Sequence, residues 1–482
     1  MKILMATSEF APLASTGEIG DHVRTLALEL KRMGHEVSVA VPLYRSIRES
    51  RLPIELTESE FHVYLGEKKV TTALFETRTA EGIQLLLIRR DEYFDRSGIY
   101  AGDGRAYEDN SERFIFFSKA VVELARRLSP SVDIIHCHDW PTALIPVFIK
   151  DRKLPFQTVL SLYDLEYQGS FWSFDFALTG LPGSYFGPRG VEFYGRLNFV
   201  KSGILFADAV ALPGEIALQA ALQPEYGAGL HLVLQENSAR TVGIPTGIDY
   251  SQVNPPFEKL LPRRSKYETT SGKSACRQHL LNQLNFESDG TELVATCPVQ
   301  PNDIAGLSQL VPLFDRLLTG KARLIIPGPL PDLFTPQIIV AERKYPRRFA
   351  YDPQGDPRIR NLSLAGSDVV LLPGSLGANG LTAIIALRYG TVPVVSYRNG
   401  LRQIITDFDP VRRQGRGFVY YRNRPEGLWD SIQRVYWTRE RKEYWNALVE
   451  QCSAADFSWA ESAKSFAELY SGLLRHRPAV SA

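Results

Sequence analysis

Two successive series of short apolar strands, alternating with amphipathic helices, constrain this chain more than any other feature of its sequence. In the first series Lys2–Ala6 is predicted as a buried strand. Asp21–Met33 is predicted as a helix, because Val23, Leu26, Leu28 and Leu30 recur at helical rather than alternating spacing. Glu36–Val41, Phe61–Leu65, Val70–Leu74 and Ile83–Ile88 read as strands, the later ones with hairpin character. Ser111–Leu128 reads as a helix with an apolar stripe of Phe114, Phe117, Val121 and Leu124, and Asp133–His136, Thr158–Leu162 and Ala209–Leu212 read as further strands. The second series repeats the pattern with strands at Leu293–Thr296, Arg323–Ile326, Val369–Leu372 and Val392–Val395. A chain of 482 residues exceeds a single core. Two such series predict an α/β protein of two doubly wound, parallel-sheet domains.

The break is predicted between Gly243 and Lys273, with the Pro- and Lys/Arg-rich stretch Asn254–Lys266 as an exposed linker. The expected domains are residues 1–245 and 246–455, followed by a terminal helical segment, 456–482. That segment opens with Ser458 as N-cap and Glu461 three residues on, a capping box, and frays after about Arg477. Lys plus Arg total 55 against 54 for Asp plus Glu, a net charge of +1, which gives no electrostatic case for nucleic acid or an anionic membrane. No run of about 18 apolar residues predicts a spanning helix, and the first strand is too short for a signal-peptide apolar region. Cys137, Cys276, Cys297 and Cys452 have neither metal nor redox spacing, so a reducing cytoplasm is expected.

Two loops lead into helices, where free backbone amides attract phosphate. One is Ser15-Thr16-Gly17-Glu18-Ile19-Gly20-Asp21. The other is Pro373-Gly374-Ser375-Leu376-Gly377-Ala378-Asn379-Gly380-Leu381-Thr382. Gly17 and Gly20 stand in the first loop, and Gly380, Leu381 and Thr382 in the second. His136 and His138 form His-x-His, which on a strand shares one face. No third ligand accompanies them, so they read as a structural strand end and no metal is expected. Asp139 and Trp140 stand at a strand's C-terminal end, where α/β sheets place ligands. For them a sugar-facing role and a packing role are equally supported. Glu9 has a similar claim after the first strand. Asp21 complements the helix N-terminus and is also a candidate for substrate.

Several long segments resemble the bacterial glycogen synthase and plant starch synthase family, glycosyltransferase family 5. They are Glu9-Phe10-Ala11-Pro12, Tyr107-Glu108-Asp109-Asn110-Ser111-Glu112-Arg113-Phe114, His136-Cys137-His138-Asp139-Trp140, Tyr167-Gln168-Gly169, Gly190-Val191-Glu192-Phe193-Tyr194-Gly195 and Asn198-Phe199-Val200-Lys201. Gly247-Ile248-Asp249-Tyr250, Ala386–Val395 and Asp456-Phe457-Ser458-Trp459 continue the series. The resemblance implies a GT-B fold, two Rossmann-like domains facing a central cleft, with a final helix that returns to the first domain. It implies retaining transfer of glucose from ADP-glucose to the non-reducing end of an α-1,4-glucan. It also makes Gly17, Gly20, Gly380, Leu381 and Thr382 the candidate nucleotide-binding positions, and Glu9, Asp21, Asp139, Trp140, Tyr167 and Gln168 the candidate glucan-side residues.

Against that pattern the polar positions are depleted. The family has a Lys where Ser15 stands, an Arg where Gln300 stands, a Lys where Ala305 stands, a His where Tyr163 stands and a Glu where Gly377 stands. Pro141 replaces a common His, Pro327-Gly328-Pro329 replaces a glycine-rich turn, and Glu18 adds an anion beside the expected phosphates. Losing one preorganised donor to a developing oxyanion costs roughly 3–4 kcal/mol. No residue is therefore assigned a catalytic role and no cofactor is expected. The expected function is that of an impaired or inactive homologue that binds α-1,4-glucan, with ADP-glucose bound weakly or not at all and a partner synthase as a possible associate. The runner-up is an active glucosyltransferase with a non-standard donor site; a scaffold that binds no sugar is the third reading. Arg398 and Arg402 read as solvated loop arginines, with substitute cations as the alternative.

Overall fold

The computed structural model describes residues 1–102, 105–128, 131–247, 270–299, 304–373, 379–397, 401 and 404–475. The chain forms two compact units, one of Met1–Gly247 with Trp459–Ala482 and one of Ile248–Ser458.

In the first unit the strands are β1 (Lys2–Ala6), β2 (Glu36–Pro42), β3 (Glu55–Leu65), β4 (Lys68–Arg78), β5 (Gln84–Arg89), β6 (Ala101–Gly102), β7 (Arg105–Ala106), β8 (Ile134–His138), β9 (Gln157–Ser161), β10 (Ser170–Phe171), β11 (Glu192–Phe193), β12 (Arg196–Asn198), β13 (Ala209–Pro213) and β14 (Thr241–Ile244). The main sheet runs β14-β13-β9-β8-β1-β2-β5-β4-β3. β1 pairs in parallel with both β2 and β8, so the chain starts mid-sheet, winds one way and then returns to wind the other. Strands buried on both faces read as continuous apolar runs, which is why β1 and β8 were legible. β3 starts six residues before the predicted Phe61, because Glu55–Glu60 is a polar, edge-strand continuation paired antiparallel to β4. A register irregularity between Glu58 and Phe61 lets this stretch depart from strict alternation.

Helix α1 (Ile19–Arg32) buries Val23, Leu26 and Leu30 against this sheet. The helix Asn110–Arg127 buries Phe114, Phe117, Val121 and Leu124 together with Arg113. The last described helix, Trp459–Arg475, buries Trp459, Ala463, Phe466 and Tyr470 in the same core. Ser462 Oγ donates to the Pro245 carbonyl at 2.6 Å, tying it to the end of β14. At its start the Asp456 carboxylate accepts the Ser458 amide at 2.8 Å. A small sheet, β10-β12-β11, occupies segments that carry no strand signal in the sequence.

The second unit contains β15 (Leu293–Thr296), β16 (Ala322–Pro327), β17 (Phe349–Asp352), β18 (Val369–Leu372), β19 (Val392–Ser396) and β20 (Phe418–Tyr420). They pair in parallel in the order β17-β16-β15-β18-β19-β20, the doubly wound dinucleotide-binding order 3-2-1-4-5-6. At the N-terminal ends of its strands Arg277 donates to Glu292 at 2.9 Å and to Asp368 at 2.6 Å. Asp368 also accepts the Val294 amide at 2.8 Å. Among the described residues no helix is long and apolar enough to cross a membrane.

Candidate functional site

The order of the first unit's main sheet reverses between β1 and β8. In open α/β sheets such a switch point is where ligands bind, outside the carboxyl ends of the strands. β1 runs directly into Glu9, whose side chain is 2 % exposed. Thr16 N and Gly17 N donate to its Oε2 at 2.7 and 3.3 Å. Thr16 Oγ1 and Tyr100 OH donate to its Oε1 at 2.9 and 2.8 Å. Both oxygens of this carboxylate are thus bonded within the first unit, and Glu9 acts as a latch on the first glycine-bearing loop. Tyr100, 91 residues away in sequence, was not legible as a site residue.

The two glycines of that loop differ in kind. A Cβ on Gly20 would lie 2.9 Å from both the Ala11 amide nitrogen and Ser15 Oγ, so the close approach of α1 to the loop demands glycine there. A Cβ on Gly17 would meet nothing within 4 Å. The fold does not demand Gly17, which leaves the surface before α1 bare. Ser15 Oγ donates to the Gly17 carbonyl at 2.8 Å. Glu18 stands exposed at the N-cap of α1 with no side-chain capping bond, and Asp21 is exposed in the first turn.

β8 brings His136, His138, Asp139 and Trp140 to the same sheet end. His136 is buried with both nitrogens engaged, Nε2 with Ser161 Oγ at 2.8 Å and Nδ1 with Tyr470 OH at 2.7 Å. Burial lowers its pKa to about 3. His138 Nδ1 meets Tyr163 OH at 2.9 Å, and burial beside His136 and His22 holds it well below the ordinary imidazole range. Tyr163, where the resemblance leads one to expect a histidine, is a phenol tied to His138. Burial raises that phenol above its ordinary range. His22, on α1, was not singled out in the sequence. Its ring centroid is 5.1 Å from that of Tyr163, and burial lowers it to about 4. Among the described residues no group of three His, Cys, Asp or Glu side chains is placed to hold a metal.

Asp139 is buried at φ 61°, ψ −177°, a backbone region that non-glycine residues occupy at a cost of about 1–3 kcal/mol. Its carboxylate accepts the Trp140 amide at 2.6 Å and its own amide donates to the Ser161 carbonyl at 2.8 Å. Burial raises its pKa to about 7 against that amide bond, with Asp164 and Glu9 adding to the rise. Trp140 is half-buried and packs on Phe114, Phe171, Tyr100 and Phe199 at 4.9, 5.7, 5.8 and 6.1 Å between ring centroids. Gly169, at φ 60°, lies where a Cβ would come within 2.7 Å of the Trp140 ring, so the Tyr-Gln-Gly segment ends in glycine for a packing reason. Gln168 Nε2 donates to the carbonyls of Leu165 and Ala228 at 2.9 and 2.8 Å, and its Oε1 accepts Asn198 Nδ2 at 2.7 Å. Tyr167 is exposed.

The guanidinium of Arg113 is fully buried, donating to the Tyr93 carbonyl at 2.7 Å and Asn110 Oδ1 at 2.5 Å. Its presence in an otherwise apolar helix stripe was the available signal. In the second unit Gly380, Leu381 and Thr382 lie on the helix Asn379–Arg388, and Thr382 is buried. Arg360 Nη2 donates to Thr382 Oγ1 at 3.3 Å, a cation that the sequence pattern does not point to. Ala305 is exposed on the helix Ile304–Leu310. Gln300, Gly377, Arg398 and Arg402 lie outside the described residues.

The family model of the starch synthase catalytic domain matches residues 2–236. The chain is 31% identical over 476 residues to "Glycogen synthase 2" of Geobacter metallireducens, covering 98% of each chain. It is 32% identical over 481 residues to the glycogen synthase of Geotalea daltonii, again covering 98% of both. The solved catalytic domain of starch synthase IV from Arabidopsis thaliana, bound to ADP and acarbose, superposes with a TM-score of 0.80 at 25% identity, covering 98% of this chain and 99% of that one. With two doubly wound units and this full-length likeness, the protein is a GT-B glycosyltransferase of the glycogen and starch synthase family.

Proposed function

We propose that this chain is a glycogen synthase homologue in which α-1,4-glucan binding outlives glucosyl transfer from ADP-glucose. The observation that carries the reading is the first glycine-bearing loop. It is held in place by Glu9, yet its exposed side chains are Ser15, Thr16 and Glu18, with no cation and one anion before the N-terminus of α1. A departing nucleoside diphosphate needs positive charge preorganised around it, and each missing donor weakens the transition state by roughly 3–4 kcal/mol. Ala305 in place of a lysine and Tyr163 in place of a histidine act in the same direction. A neutral glucan needs hydroxyl partners and aromatic faces instead, so its binding does not depend on those cations.

The relatives are glycogen synthases, and the Arabidopsis structure holds ADP and acarbose. On that ground the ligand class here is an α-glucan, with ADP-glucose bound weakly and a partner synthase supplying transfer. The setting is the cytoplasm, consistent with four buried cysteine thiols. One observation favours a second reading. Arg360 places a guanidinium on the helix that carries Thr382, which supports an active transferase with a non-standard donor site.

The test is glucose transfer from ADP-glucose and UDP-glucose to maltoheptaose, beside electrophoresis in glycogen-containing native gels. The expected result is retardation by glycogen without measurable transfer. Turnover in the ordinary enzyme range of about 1–10³ per second establishes the second reading. Absence of both transfer and retardation leaves a scaffold that binds no sugar.

A further inference from the structure

Beside the small sheet β10-β12-β11 three aromatic side chains are left exposed. Trp172 is 63% exposed, Phe174 71% and Tyr194 82%. The Trp172 and Phe174 ring centroids lie 4.5 Å apart. β10 and β12 are antiparallel with Phe171 opposite Leu197, and β12 and β11 are antiparallel with Phe193 opposite Arg196. Trp172, just beyond β10, and Tyr194, in the β11–β12 turn, therefore sit at the same end of the sheet. Exposed apolar rings that lie together, as Trp172 and Phe174 do, are the kind of surface that binds ligands or partners.

The turn adds a second, independent sign. Tyr194 has φ 48° and Gly195 φ 74°, the two left-handed positions of a tight hairpin that favour Asn-Gly. A bulky aromatic residue there works against the turn, and its ring gains little burial in return. The sequence thus keeps an aromatic face in solvent at a backbone cost.

We infer that this sheet end is a distal subsite for a neutral α-glucan chain, an inference that rests on the glucan-binding reading above. The sheet is packed directly against the candidate site. Gly169, the last residue of the Tyr-Gln-Gly segment, packs on Trp140, and Phe171 of β10 contacts the Trp140 ring at 5.7 Å. The charge balance selects a neutral polymer over a polyanion. Residues 167–198 hold Asp175 and Glu192 against Arg189 and Arg196, and Arg196 is engaged, donating to Ser170 Oγ and the Ser170 carbonyl at 3.0 Å each. Glucose rings present alternating CH faces and hydroxyls, which suit aromatic platforms with serines beside them.

The experiment uses the full chain, titrated with maltoheptaose and run in glycogen-containing native gels, as wild type, Trp172→Ala/Phe174→Ala and Tyr194→Asn. Tyr194→Asn suits the turn, so it tests the surface even if the double variant folds poorly. Removing one stacking ring weakens binding by up to about tenfold. The expected results are a rise in Kd of about fivefold or more in each variant and reduced retardation by glycogen, with the thermal unfolding midpoint of Tyr194→Asn no lower than that of wild type. Wild-type binding unchanged in both variants overturns this subsite and leaves the glucan-binding function standing. A wild type that glycogen does not retard overturns both. If wild type self-associates in sedimentation velocity and the variants do not, while glucan affinity is unchanged, the surface joins copies of this chain and the subsite is overturned.

Discussion

The two doubly wound units use charge differently at the two ends of their strands. Both tie N-terminal strand ends with carboxylates. In the first unit Asp133 accepts the Lys2 amide at 2.7 Å and Asp208 the Thr158 amide at 2.8 Å. In the second, Glu292 and Asp368 share Arg277. At the carboxyl ends the units diverge. The first unit gathers Glu9, His138, Asp139 and Tyr163 there, buried or half-buried, with a strained backbone at Asp139. The described residues at the corresponding ends of the second unit include Cys297, Gly328, Pro373, Tyr397 and Tyr421, with Asp352 at the edge strand accepting the Asp356 amide at 2.7 Å. Paired charge at N-terminal ends holds a sheet together. Shifted pKa values and strain at a carboxyl end carry a cost in stability, which marks that end as the candidate site.

The largest expected effect breaks the stabilising side of this contrast. Arg277→Met leaves Glu292, whose side chain is 1% exposed, without its cation. It is expected to destabilise the second unit by about 3 kcal/mol. Urea unfolding followed by unit-resolved hydrogen exchange reads this out. A loss below about 1 kcal/mol removes the assignment of that cluster to stability.

Next comes the strained acid. The Asp139 carboxyl has a folded pKa of about 7, above the ordinary value of about 3.9, so the folded state holds the extra proton between those limits. Its favourable contribution is complete below about pH 4 and is lost as pH rises through 7. Asp139→Asn, isosteric with the protonated acid, is expected to be more stable than wild type by about 2 kcal/mol at pH 8, with the gap closing by pH 5. Thermal unfolding at both pH values checks it, and an equal effect at both rejects the titration.

The buried imidazoles work in the opposite direction. His22 is held to about 4 and His136 to about 3, below the unfolded value near 6.5. Their contribution is present above pH 6.5 and is lost as pH falls through those folded values, because the unfolded chain takes up the protons first. His22→Leu is expected to reduce the loss of stability between pH 7 and pH 5 by about 1–2 kcal/mol. An unchanged acid limb in the variant removes His22 from the account.

The smallest effect concerns the loop before α1. Replacing Glu18 with Gly removes an exposed anion from a helix N-terminus and is expected to tighten ADP binding about threefold at low salt. Calorimetry across ionic strengths measures it. Tight ADP binding in wild type, unmoved by Glu18→Gly, argues that the loop never repelled the nucleotide.

Much of the architecture was legible because its signals are local. The apolar runs of β1, β8, β15 and β18 and the stripe of α1 lie within windows of a few residues, and their spacing announces strand or helix. The antiparallel start of β3 was not legible, since Glu55–Glu60 is polar and becomes a strand only by pairing with β4. The sheet β10-β12-β11 escaped notice for the same reason. Its strands of two or three residues are defined by their neighbours. The candidate site was legible as a place but not as a set of roles. Trp140 was equally a sugar platform or a packing residue, and the structure shows it half-buried with ring contacts to Phe114 and Phe199.

By itself the sequence determined the two doubly wound units, the family and the first glycine-bearing loop. Each of these is written in residue type at short range. Only the tertiary structure decided which partners the polar residues of the site meet. Glu9 turns to its own loop because Tyr100 and Thr16 reach it from 91 and 7 residues away. His136 is closed off by Tyr470 from 334 residues away. Asp139 is strained because β8 must end beneath Trp140 and against Ser161. A side chain's role follows from the partners that share its burial, and those partners are brought together by folding across separations that no local pattern records.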